Sequence, residues 1–86
     1  MREREDWIPR EWLGSETTIE RVESDFQHFD ERWHTEWREF ISQIQRGDEL
    51  RHFFSPNETW LHLAGRAGYA IVRQGEVVDA FITMLN

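Results

Sequence analysis

The sequence predicts an α+β fold: a long N-terminal helix packed on a small three-stranded, mostly antiparallel sheet, in the order α-β-α-β-β. Three observations predict it. No Gly or Pro interrupts residues 15–46, and apolar side chains recur there at helical spacing. Residues 68–73 and 76–85 are rich in β-formers and are joined by Gln74 and Gly75, a hairpin signal. Between the long helix and that hairpin, residues 49–54 read as a strand and Ser55-Pro56-Asn57-Glu58 as the start of a second helix.

The elements follow in order. The 86 residues are expected to make one domain, with an N-terminal arm over 1–16, the long helix over 17–46 and a β-α-β-β unit over 49–86. In the arm, Trp7, Ile8, Trp12 and Leu13 are apolar, Pro9 breaks any early helix and Gly14 closes the segment. Two tryptophans in so short an arm need something to pack on. Thr17 and Glu20 have the spacing of a capping box, and acids cluster where the helix dipole favours them. Arg46 and Gly47 then read as the last turn and its C′ residue.

The aromatic stretch FQHFDERWHTEWREF lies inside this helix. Ile19, Val22, Phe26, Phe29, Trp33, Trp37, Phe40 and Ile44 fall three or four residues apart, so the rings line one side of a rod. The short helix spans 56–64 with Ser55 as its cap and Gly65 as its end. In the return strand Val78, Ala80, Ile82 and Met84 alternate onto one face, the natural seat for the helix stripe.

This arrangement carries a length mismatch. A 30-residue helix spans ~45 Å, whereas a domain of this size is roughly 30 Å across and a strand of eight residues covers ~27 Å. Some apolar helix surface should therefore overhang the sheet. Either the arm folds back over it or a second chain covers it.

Composition limits the function classes. Seventeen acids face ten bases, all arginine, for a net charge of −7. Residues 1–15 carry about −1, 16–46 about −4 and 47–86 about −2. Such a field repels nucleic-acid phosphates and anionic membranes and attracts basic surfaces. The simpler reading is a solvated acidic face that keeps a small protein soluble. Cysteine is absent, so neither a disulfide nor a thiolate metal site supports the core. No apolar run has the length of a signal peptide or a membrane span, which leads to the expectation of a cytoplasmic protein.

Chemistry-bearing patterns are weak. Asp30 with His34, and Glu58 with His62, are four apart and share a helix face, but a metal site needs further ligands that the sequence does not supply. Ser15, Ser24, Ser42 and Ser55 sit in no nucleophile-elbow context. The run Gly65-Arg66-Ala67-Gly68 follows a helix and precedes a strand, the reverse of a phosphate loop. The aromatic stripe is flanked by Asp25, Asp30, Glu31, Glu36 and Glu39, the wrong charge for stacking nucleic-acid bases. No catalytic residue, cofactor or metal is expected.

The segments Asp48-Glu49-Leu50, Ser55 to Trp60, Leu63 to Ala70, Val72-Arg73 and Gly75 to Val78 resemble a group of small uncharacterised bacterial proteins. The resemblance covers the C-terminal half and implies no activity for any residue. The leading expectation is a non-enzymatic protein–protein interaction module, in its most specific form an acidic inhibitor or immunity-type protein docking on a basic partner. Its partner-binding residues would be Trp7, Trp12, Ile19, Val22, Glu23, Phe26, Asp30 and Glu31. The alternative is a small homodimeric structural protein pairing through the long helix or the arm. A third class, an enzyme or metal protein using His34, His52 or His62, has the least behind it.

Overall fold

A four-stranded antiparallel sheet in the order β1-β2-β3-β4 forms the centre of the protein in a computed structural model that describes residues 8–86. A 3-10 turn at Arg10–Trp12 leads into β1 (Leu13–Thr17), which is followed by α1 (Ile19–Asp25), α2 (Glu31–Ile41), β2 (Glu49–Phe54), α3 (Asn57–Leu61), β3 (Arg66–Arg73) and β4 (Glu76–Leu85). The class is α+β, but the expected long helix and three-stranded sheet do not form. The helix expected over 17–46 is two helices, and the segment expected as an arm contributes a strand.

The break lies between Asp25 and Glu31. Phe26 N–H donates to Val22 O and Phe29 N–H to Phe26 O, which ends α1 in turns. Asp30 then takes an extended conformation, and its carboxylate accepts from the Trp33 N–H at 2.9 Å. It is an N-cap inside an apparently continuous helix, with Glu31 in the first turn where the dipole favours an acid. The return on this break is visible at Trp37, whose indole N–H donates to Glu23 Oε2 at 3.0 Å. In one straight helix residues 23 and 37 would stand ~21 Å apart along the axis. The principal extents are 32 × 31 × 27 Å, too short for a ~45 Å rod. The predicted overhang is therefore removed by folding the stripe in two.

Helix boundaries shift for local reasons. Thr18, not Thr17, caps α1, its hydroxyl accepting from Arg21 N–H at 3.1 Å. The α2 helix stops at Ile41, and the chain reaches Gly47 through turns closed by Gln43, Ile44 and Asp48 N–H groups. Gly47 has a φ of +90°, as a chain-reversing residue requires. Ser55 does not cap α3. Its buried hydroxyl accepts from Arg66 N–H at 2.9 Å and shares a 2.7 Å bond with Thr59, pinning the start of β3 beside α3.

β1 pairs with β2 through Leu13↔Phe53 and Thr17↔Leu50, with a register shift between Leu13 and Glu16. Gln74 and Gly75, both at positive φ, make the tight turn between β3 and β4, as the Gly-containing pair predicts. β4 carries two bulges, leaving Val78 and Thr83 as extra residues against β3. The first bulge inverts part of the expected alternation.

The sheet consequently has two apolar faces. On one, Val22, Trp37, Phe40, Leu50, Tyr69, Ile71 and Phe81 form the larger core beneath α1 and α2. On the other, Ile8, Phe53, Ala70, Val77 and Ala80 pack together, with Trp12, Leu13 and Ile82 against them. The helices thus rest on the Phe81 side of β4, not on the Ala80–Ile82–Met84 side that simple alternation predicts.

Candidate docking surface

Register places the helix-side residues of the sheet in rows. Leu50, Ile71 and Asp79 make one, and His52, Tyr69 and Phe81 the next. The end row is Phe54, Ala67 and Met84. The core beneath the helices holds Leu50, Ile71, Tyr69 and Phe81 but stops before this end row. Phe54 and Met84 are accordingly 54% and 51% exposed. A groove of about 260 Å³ lies here, lined by Phe26, His52, Phe54, Ala67, Tyr69 and Met84 among others.

Further apolar side chains gather at the same pole. β2 ends there, β3 begins there and β4 finishes there, so α3 and its flanks cross that end. Leu61 and Leu63 on this crossing are 80% and 76% exposed, and Leu85 is 69% exposed. Asn86 ties the end of β4 to the crossing, donating from its side chain to Trp60 O and accepting from Gly65 N–H. Phe29, 49% exposed, stands edge-on to Phe26 at 4.8 Å between ring centroids. Five of the six large apolar side chains found exposed among the described residues therefore lie at this pole, and the sixth, Phe29, stands against the Phe26 ring that lines the groove.

The opposite pole is polar and pinned. Arg73 donates two parallel bonds to Asp48, at 2.9 and 2.8 Å, and a third to Gln43 O. Asp48 also accepts from Gln45 N–H at 2.8 Å. The Arg73 guanidinium first, and this amide second, hold the Asp48 carboxyl below its ordinary range. At the groove, burial and then the nearby Asp25 charge push the Tyr69 phenol upward. Asp25 ends α1, and Asp30 and Glu31 open α2, so acids flank the interhelix segment at both ends, with Asp25 close enough to act on Tyr69.

The expected partner-binding residues divide between core and rim. Val22 is buried in the main core, with Ile19 and Phe26 packed against it. Phe26 also lines the groove and stacks on Trp33 at 4.9 Å. Glu23 serves the Trp37 indole, while Asp30 caps α2 and Glu31 is exposed in its first turn. Trp12 lies on the other sheet face, where the Arg66 guanidinium stands 5.4 Å from its ring centroid. Trp7 lies outside the described residues. Sequence reasoning missed Phe54, Leu61, Leu63, Met84 and Leu85, because a strand-end or loop apolar residue carries no periodic signal that separates bare from covered.

Two other recesses are more polar. One, of about 450 Å³, runs between α2 and β4, with Glu36 and Glu39 beside Trp33, Phe40 and Phe81. Another gathers Ser15, Thr17, Thr18, Arg21 and His52 with Glu16. Among the described residues no group of three or more His, Asp or Glu side chains is placed to hold a metal, and no helix is long and apolar enough to cross a membrane. No protein-family model matches the chain, and neither curated proteins nor solved structures give a match.

Proposed function

We propose that the chain is a non-enzymatic protein–protein interaction module that docks on a basic partner, in the manner of an acidic inhibitor or immunity-type protein. Helix overhang does not support this, because every stripe residue except Phe29 is folded into or against the protein's own core. The observation that carries it is the bare apolar pole next to the acid-rich segment 16–46. An apolar patch bordered by charge of one sign suits a partner of the opposite sign, with the field steering encounter and the apolar area holding the complex.

The test compares fluorescently labelled basic, neutral and acidic peptides of equal length, titrated with the protein at low and high salt. The basic peptide should bind, weakening steeply as salt rises. Equal binding across peptide charge, or binding indifferent to salt, contradicts the proposal.

A further inference from the structure

Resting on that proposal, we infer that the Phe54–Ala67–Met84 row and the groove beside it receive a large apolar anchor carried by a basic segment of the partner. The row is the one tier of the helix-side face that the core leaves out, and its two large side chains are about half exposed. Phe26 walls one side of the groove, while Tyr69 and Ala67 line it. A large apolar side chain entering there meets rings and a thioether, surfaces that adapt to an aromatic or branched guest.

Charge selects the occupant. Asp25 is close enough to act on Tyr69, and Asp30 and Glu31 follow Phe29 in the chain, at the start of α2. Basic residues flanking the anchor would meet these carboxylates. A second copy of the chain would bring another −7 charge and the same acidic rim, so pairing through this pole works against self-repulsion. A basic segment has no such cost. The Glu36–Glu39 recess also attracts cations, but its lining belongs to the packed interface of α2 with β4, and none of its lining residues is a strongly exposed apolar side chain.

The experiment uses two arginine-rich peptides identical except for a central phenylalanine or serine, with binding followed by fluorescence anisotropy on the full chain. The phenylalanine peptide should bind about tenfold tighter, the factor expected from burying one large apolar side chain incompletely. That advantage should vanish in Met84→Ser and Phe54→Ser, while the serine peptide binds each variant as before. Both substituted side chains are half exposed, and circular dichroism of each variant is the check that the fold persists. If the two peptides bind equally, the anchor site is overturned and the electrostatic proposal stands. If no arginine-rich peptide binds, both are overturned. If sedimentation shows a dimer that Met84→Ser dissociates, the pole belongs to a second copy and the inference is overturned.

Discussion

Glu23 is a candidate partner-binding residue by sequence and a structural acceptor in the fold. Its carboxylate receives the N–H of a tryptophan that is 1% exposed. Removing the acceptor leaves a buried donor unpaired, so Glu23→Ala should cost ~1–3 kcal/mol in urea unfolding, and Glu23→Gln much less. Asp48 gives a prediction in pH. Its folded-state carboxyl titrates below the unfolded one, so its pairing with Arg73 contributes stability at neutral pH. That contribution should fade below about pH 4, as pH falls past the unfolded value toward the folded one. Thermal melts of the wild type and Asp48→Asn should therefore differ at pH 7 and converge in acid. Gly68 sits in β3 opposite the Thr83 bulge, where an added Cβ would strike the Phe81 carbonyl. Gly68→Ala should lower stability by ~1–3 kcal/mol. Of these roles, none is readable from the sequence, because each depends on what the fold brings against a residue from far along the chain.

Elements with local signals were legible. Residues 49–54 and 76–85 read as strands and form β2 and β4, and the Gln74–Gly75 turn carries its own φ requirement. The break at Asp30 was hidden because the apolar stripe keeps its three- and four-residue spacing straight through it. Only the Asp30–Glu31 pair, an N-cap followed by a first-turn acid, marked it. β1 was hidden for another reason: Leu-Gly-Ser-Glu-Thr has little strand propensity, and its pairing with β2 decides. Replacing Asp30 with Ala should cost ~1 kcal/mol of stability. The broken helix itself is checked by spin labels at the exposed positions 20 and 39. A continuous helix would separate their backbones by ~28 Å, and the folded-back pair should give a clearly shorter distance.

For the whole molecule, the helix length expected from the sequence exceeds the size of the protein, yet no overhang results. A ~45 Å rod cannot lie within a protein 32 Å long. The chain resolves this by bending the rod rather than by recruiting cover, and the bent pair leaves one end row of the sheet unroofed. Bare apolar area thus survives, but mainly on Phe54, Met84 and the α3 crossing, with Phe29 the one exposed ring of the helix stripe. The negative charge was legible from composition alone, whereas the closeness of Asp25 to Tyr69 at the groove was not. The most direct measurement follows backbone amide shifts of the isotope-labelled protein during titration with the arginine-rich phenylalanine peptide. Perturbations should centre on Phe54, Leu63, Ala67 and Met84 and spare Asp48, Gln74 and Gly75 at the far pole. Shifts confined to the far pole, or to the recess between α2 and β4 around Glu36 and Glu39, would contradict docking at the unroofed end of the sheet.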